Sequence, residues 1–370
     1  MVLEIVRQPA AFRSRVGENK LRVLVVGCGY WGAKHVRVLN SLPRVSHLTV
    51  VDTNPRARAA IATAFPTVRC LSDIDEAIAE ADAVVVATPP QDHYRIAAKA
   101  LAAGKHVLIE KPMCTNLTDA RALVAKAEQN GLALMVGHTF EFNPAVHELR
   151  RRLDGGEFGV LRYLHSARLN LGQFRSDVNV VWDLAPHDIS IMNYLLRSTP
   201  SRVRAWGSAN VTSGVIDLAH FELEYADRNV TGYGHVSWLD PRKVRQVTVV
   251  GSRKMAVYDD LADERLRLFD RGVDLGGSDA NDRLPHVPLS YRYGDIVSPH
   301  IDFQEPLMLE DKAFIECAAT GAPLPSDGAT GLAVIAVLEA IDRSLSTGEP
   351  ASVEGYRPPT LAPALSAGGR

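Results

Sequence analysis

From residue 21 to 137 the chain alternates short runs of β-branched and other apolar residues with stretches whose apolar positions recur at helical spacing. Parallel βαβ units produce this alternation. The runs at 22–26, 48–51, 67–70, 83–87, 106–109 and 132–136 read as strands. Asn54 and Pro55 supply an N-cap followed by proline at the first helical position, and Gly104 and Gly131 stop the helices that precede the fifth and sixth strands. Because these strands are continuously apolar, both faces of their sheet should be covered.

Beyond about residue 138 the rhythm changes. A helix is expected over 143–153, followed by an openly alternating run at 160–170 that is long for a buried parallel strand, and then a helix over 184–196. Strand-like runs at 202–207, 218–225, 230–238, 245–250 and 254–258 follow without helices between them, which predicts antiparallel pairing. Residues 270–305, rich in Gly, Asp and Pro, read as loop, and helices near 305–319 and 329–345 complete the pattern. The expected organisation is an extension over 1–20, an α/β domain over 21–138, a second domain over 139–355 and a tail over 356–370.

Composition narrows the function classes. A chain of 370 residues suits two domains, and 46% hydrophobic with 23% charged residues is ordinary for a folded globular protein. Lys and Arg number 41 against 43 Asp and Glu, so there is no basic excess to attract nucleic acid or an anionic membrane. Cys28, Cys70, Cys114 and Cys317 are far apart and lack the spacing of a zinc site, so they read as buried reduced thiols and no metal is expected. No apolar run is long enough to span a bilayer, and the first 20 residues lack a continuous apolar segment, so a cytoplasmic enzyme is expected.

The strongest chemical signal is Gly27-Cys28-Gly29-Tyr30-Trp31-Gly32, which follows the first strand directly and opens a helix, with Asp52 twenty residues past the last glycine. In that context Gly27 permits a tight turn, Gly29 lets backbone N–H groups approach a pyrophosphate, and Gly32 allows close packing of helix on sheet. Asp52 should accept hydrogen bonds from the adenosine ribose, and its charge disfavours a 2′-phosphate, which favours NAD over NADP. Arg56 and Arg58 complicate that choice, since a nearby arginine can hold the phosphate instead.

Thr88-Pro89-Pro90, His93 and the stretch from Ala100 through Glu110-Lys111-Pro112 to Met113 closely resemble the segment that marks the glucose-fructose oxidoreductase/inositol dehydrogenase (Gfo/Idh/MocA) family. The likeness runs on to Phe142-Asn143-Pro144-Ala145 and returns at Asp183 to His187. It implies an α/β N-terminal Rossmann domain over 21–138, then an α+β domain over 139–355 with a large, mostly antiparallel open sheet that binds substrate and oligomerises. Gly27, Gly29, Tyr30, Trp31, Gly32 and Asp52 would bind the cofactor. Thr88, Pro89 and His93 would flank its nicotinamide side, with Glu110 at the ribose region and Lys111 touching both cofactor and substrate.

The resemblance also implies a catalytic trio of Lys111, Asp183 and His187, with His187 as acid/base on the substrate hydroxyl and Asp183 assisting it. An ionised Asp183 beside the ring would raise the pKa of His187. Spacing alone puts Asp183 and His187 on one helical face. Asp183 could instead be a simple N-cap, but Pro186 supplies no N–H for it. Asn143, Arg168, Asn170 and Trp182 are further substrate-pocket candidates, each with a plainer reading as a structural residue. Where the family commonly carries a basic residue ahead of Phe142, this chain has Glu141, which argues against an anionic substrate.

The reading that emerges is an NAD(P)-dependent oxidoreductase that interconverts a secondary alcohol and a ketone on a sugar, nucleotide-linked sugar or cyclitol, as a homo-oligomer, dimer or tetramer. Two alternatives stand beside it. Some similar proteins bind dinucleotide as regulators without turnover, and a few are glycosidases that use NAD for transient oxidation.

Overall fold

The computed structural model describes residues 20–172, 174, 178–275 and 289–353. The extension expected over 1–20 therefore lies almost wholly outside the described residues, as do the tail and the centre of the expected 270–305 loop.

The first part alternates strand and helix as its apolar rhythm requires. Strands are β1 (Leu21–Val26), β2 (Val45–Val51), β3 (Arg69–Leu71), β4 (Ala83–Val86), β5 (His106–Glu110) and β6 (Leu134–Gly137). Between them lie α1 (Tyr30–Leu39), α2 (Pro55–Ala64), α3 (Ile74–Ile78), α4 (Pro90–Ala102) and α5 (Leu117–Asn130). All pairs are parallel, in the order β3-β2-β1-β4-β5-β6. Strand order reverses between β1 and β4, and in such sheets ligands bind outside the carboxyl ends at that point. β4 is buried at every position, the consequence of helices on both faces. Asn54 caps α2 by accepting from Arg56 N, an arrangement worth about 1 kcal/mol.

The second part holds α6 (Pro144–Asp154), β7 (Leu161–Leu171), α7 (Val180–Leu196), β8 (Arg202–Ser208), β9 (Leu218–Tyr225), β10 (Val230–Ser237), β11 (Leu239–Gly251) and β12 (Met255–Asp259). It continues with β13 (Leu266–Leu275), β14 (Leu289–Val297), α8 (Pro306–Thr320), α9 (Gly328–Thr347) and β15 (Ala351–Ser352). Nine strands form one sheet, antiparallel at every pair except β7 with β10. One face is covered by α7 and α9, and the other carries exposed aromatic side chains such as Tyr163, Trp206 and Tyr233.

Two expectations are corrected. The reading of 270–305 as loop fails where β13 and β14 pair, because strand partners satisfy the backbone whatever the local Gly and Asp content. A register shift between Phe269 and Arg271 is matched by Gly294, where a Cβ would lie 2.7 Å from Asp270 O. Helix α7 begins at Val180, not near 184, with Asn179 as its cap accepting from Val181 N and Trp182 N. The helix expected near 305–319 is α8. It packs against α1, and Phe314, Ile315 and Ala318 join Val23, Val25, Val36 and Leu39 in one core.

Candidate functional site

At the end of β1 the chain turns at Gly27, whose φ of +89° favours glycine. A Cβ there would lie 2.7 Å from Ala87 O, and one on Gly32 would lie 1.9 Å from Gly27 O, so both positions need the missing side chain. Gly29 differs: nothing lies within 4 Å of where its Cβ would be. Open space therefore faces the N-terminus of α1, where Gly29 offers no side-chain cap. The first N–H groups of the helix, between Tyr30 and Gly32, are left to bind an anion.

Asp52 stands beside this turn. Its Oδ2 accepts from Cys28 N at 2.7 Å and its Oδ1 from Asn54 N at 2.7 Å. These bonds fix the carboxylate at the crevice and leave each oxygen a lone pair for a ribose hydroxyl. Arg58 Nη1 donates to the Asp52 carbonyl at 2.6 Å, which ties that arginine to the backbone, while Arg56 is exposed on α2. The glycine cradle and the acid together fit a dinucleotide.

A cleft of roughly 190 Å³ opens at the same edge. Thr88, Pro89 and Pro90 after β4 and Glu110, Lys111 and Pro112 after β5 form one wall, with Val178, Trp182 and Asp183 opposite and Trp31 at the cofactor end. The Thr88 hydroxyl oxygen is buried there with no partner among the described residues. A larger hollow of about 340 Å³, bordered by Arg22, Thr49, Arg69 and Glu80, lies at the amino ends of the strands. That is the wrong edge for a ligand of an open α/β sheet.

Lys111 reaches across the cleft: its Nζ donates to the Asp183 carbonyl at 2.8 Å and lies 3.9 Å from Asp183 Oδ1. The Asp183 carboxylate also accepts from the Trp238 indole N–H at 3.0 Å. One turn further along α7, the His187 ring stacks edge-on against Phe140, 4.9 Å between centroids. Over the same Phe140 ring lies the Arg168 guanidinium, at 4.6 Å. Burial, then the charges of Lys111, Arg168 and Arg245, hold the His187 pKa well below the usual histidine range. This reverses the expectation that Asp183 raises it, because burial, and after it the neighbouring cations, disfavour the charged ring. His187 is therefore a neutral imidazole, the form a proton acceptor needs.

With Asp52 beside the glycine turn and Lys111 reaching Asp183, one turn before His187, sequence comparison decides the family. The description "oxidoreductase family, NAD-binding Rossmann fold" matches residues 21–138, and the Gfo/Idh/MocA C-terminal domain matches 146–257. The chain belongs to the Gfo/Idh/MocA oxidoreductase family. It is 30% identical to a UDP-N-acetylglucosamine 3-dehydrogenase of Acidithiobacillus ferrooxidans over 85% of this chain and 94% of that protein. A solved structure of that dehydrogenase superposes with a TM-score of 0.72, covering 88% of this chain and 97% of the other. An inositol 2-dehydrogenase of Saccharopolyspora erythraea is 28% identical over 92% of this chain and 98% of its own length. A protein of gentamicin A biosynthesis, solved in complex with NAD, is 25% identical with a TM-score of 0.75, covering 94% and 99% of the two chains.

Against this Gfo/Idh/MocA frame, the other sequence candidates fall into two groups. Trp182 borders the cleft, its indole N–H tied to Asp342 on α9. Asn170 is half-buried on β7, and strand alternation puts it on the same covered face as Arg168. Asn143, Arg168 and His93 are turned inward instead. Asn143 is wholly buried, caps α6 through Ala145 N and donates to Tyr258 Oη at 2.9 Å. Arg168 is 4% exposed and makes a two-pronged pair with Asp188, at 3.1 and 2.9 Å. His93 sits behind the cleft, its Nδ1 2.9 Å from Pro112 O and its Nε2 2.8 Å from Thr88 O, joining the two wall loops. Glu141 is 1% exposed and burial holds its carboxyl well above the usual range, so it brings no negative charge to the cleft.

Sequence reasoning missed four groups near the cleft. His138 is buried with neither ring nitrogen partnered, and burial together with Lys111 pushes its pKa down to about 4. Arg245 stands opposite Arg168 in the β11–β7 register. His35 and Asp311 lie directly behind Glu110. Only His35, three residues past Gly32 on a short amphipathic helix, carried a local signal.

Proposed function

We propose that the protein is an NAD-dependent dehydrogenase or ketoreductase acting on one secondary carbinol of a sugar, nucleotide-linked sugar or cyclitol. The observation that carries this reading is the convergence of the Lys111 ammonium on Asp183 and, one turn on, a neutral His187, at the edge where the Rossmann glycines turn. The comparison proteins named for sugar and cyclitol dehydrogenation support the substrate class. When bound, NAD supplies the hydride acceptor. Lys111 holds the substrate oxygen and stabilises negative charge developing on it. The His187 ring takes the hydroxyl proton in oxidation and returns it in reduction. Asp183 orients Lys111 through its carbonyl and carboxylate. Asn170 and Trp182 line the substrate side, with Arg168 and Asn143 supporting it from behind.

Residues 139–355 are then the substrate-binding and oligomerisation domain. The open face of the nine-stranded sheet exposes Trp206 (54%), Tyr291 (66%) and Tyr293 (77%), which suits a homo-oligomer. A cytoplasmic location accords with the four unpaired cysteines. No helix among the described residues is long and apolar enough to cross a membrane. A dinucleotide-binding regulator would have no need of the Lys111, Asp183 and His187 arrangement, and a glycosidase of this family would release an aglycone without net NADH. The deciding experiment is mass spectrometry of co-purified nucleotide, followed by sugars, nucleotide sugars and inositols monitored by NADH absorbance. NADH formation from one of them is expected. Bound nucleotide with no turnover across the panel would overturn the enzyme reading.

A further inference from the structure

Directly behind the cleft, three elements distant in sequence meet at one histidine. His35 on α1 places Nδ1 2.7 Å from Asp311 Oδ1 on α8 and Nε2 3.2 Å from Glu110 Oε1 at the end of β5. The His35 and Asp311 side chains are fully buried, and that of Glu110 is 7% exposed. The second Glu110 oxygen accepts from Lys111 N at 3.1 Å. An unbroken line of hydrogen bonds thus runs from α8 to the backbone of Lys111. With Asp311 and Glu110 as carboxylates, which only accept, both ring nitrogens donate and the ring is an imidazolium, although burial pushes the Asp311 carboxyl above its usual range. Burial works against that charge, but Asp311 and Glu110 outweigh it and hold the His35 pKa well above the usual range.

The other charged groups around this line are accounted for. Glu310 lies beside it on α8, where burial and then repulsion from Glu110 hold its carboxyl well above the usual range, as a neutral acid. Glu305 faces Asp311 from the start of α8, and Lys111 and His138 face Glu110 from the cleft side. Apolar side chains of similar size would fill this space at no loss of stability, since a buried ion pair seldom outweighs its own desolvation. The arrangement fixes something instead. With Oε1 held by His35 and Oε2 by Lys111 N, the Glu110 carboxylate cannot turn, and the chain leaves β5 in one direction only.

We propose that His35 and Asp311 are positioning residues that act through Glu110 to set the place of Lys111, so that α8 supports the reacting site. This inference rests on Lys111 acting in the reaction proposed above. The test uses the full chain and its Asp311→Asn variant, which keeps shape and an acceptor for Nδ1 but removes the charge. Without that charge the His35 pKa falls. Once the ring is neutral, Nε2 turns a lone pair toward Glu110 and the hold is lost. Relative to wild type, kcat should be near normal at about pH 6 and fall by about tenfold or more toward about pH 9, the scale expected when a reacting group is misplaced by a fraction of an ångström. KM for NAD should change little. Glu310→Gln should leave the rate unchanged. A kcat ratio flat across pH would mean a merely structural role and overturn the proposal.

A second measurement needs no turnover. Nitrogen-15 spectra of the wild-type histidines at about pH 8, with His35 assigned by its loss in His35→Gln, should show both His35 nitrogens protonated while free histidine is neutral. A neutral His35 there would end the proposal whatever the kinetics show. Conversely, failure of every sugar to turn over, with His35 charged and NAD bound, would sink the proposed reaction and leave the charged relay standing.

Discussion

Two histidines lie on opposite sides of Lys111 and meet opposite fields. His35, behind Glu110, is enclosed by carboxylates, whereas His187, on α7, lies among the cations Lys111, Arg168 and Arg245. Burial lowers the pKa of both rings, so desolvation cannot separate them. The neighbours do. Anions in contact at 2.7 and 3.2 Å carry His35 to the charged form, and cations drive His187 further into the neutral form. One residue type is thereby held as a charged ring in one place and, in the other, as the neutral ring proposed to accept the proton.

The sharpest way to break this contrast is His187→Ala. Loss of a positioned acid/base should lower the oxidation rate by about 10²- to 10⁴-fold under saturating NAD, and the acid limb of the pH profile should flatten. A limb that persisted unchanged would show that another group takes the proton. Lys111→Met comes next. Turnover should drop by about 10²-fold, as when one preorganised charge-stabilising group is lost, with NAD affinity nearly intact. Removing that cation also relieves His187, so the residual acid limb should move up toward about pH 6.5. Near-normal turnover would take Lys111 out of the mechanism.

Asp52→Ser serves as a control remote from both rings. It should shift the ratio of kcat/KM for NAD over that for NADP toward NADP, on the order of tenfold, and leave both histidines as they are. An unchanged ratio would place Asp52 away from the ribose.

The smallest effects should appear in stability. Between its lowered folded pKa and about 6.5, the unfolded chain binds a proton that His187 refuses, so stability falls on acidification. For His35 the sign is opposite. The native state holds a proton that the unfolded chain has lost, so its contribution is full below about pH 6.5 and disappears as pH rises through the raised folded value. Urea midpoints from acid to alkaline pH should therefore fall less steeply on acidification in His187→Gln, and less steeply on alkalinisation in His35→Gln. Parallel curves for the two variants would erase the distinction.

How much of this was legible in the sequence depended on range. Gly27, Gly29, Gly32 and Asp52 were readable because a strand, a turn and a helix lie within a few residues of one another. The six parallel strands were readable because burial on both faces makes them continuously apolar. The start of α7 was misread because Val178, Val180 and Val181 look like strand, while the cap that decides it, Asn179, is a single residue. β13 and β14 escaped because Gly272 and Gly294 break the apolar pattern that pairing makes unnecessary. Arg168 drew notice as a pocket residue because its partner, Asp188, lies on another element 20 residues away. The His35 and Asp311 contact joins positions 276 apart, a separation that no local pattern records.

The placement of α8 has a consequence for how the chain is made. The Rossmann sheet and α1 are translated first, yet Phe314, Ile315 and Ala318, which complete their core beside Val23, Val25 and Leu39, come only with α8, after the whole nine-stranded sheet but its last strand. Until then the nascent chain lacks the apolar side chains that cover α1 and the Asp311 partner of His35. A nascent chain stalled before Pro306 would therefore present that uncovered face to chaperones and proteases.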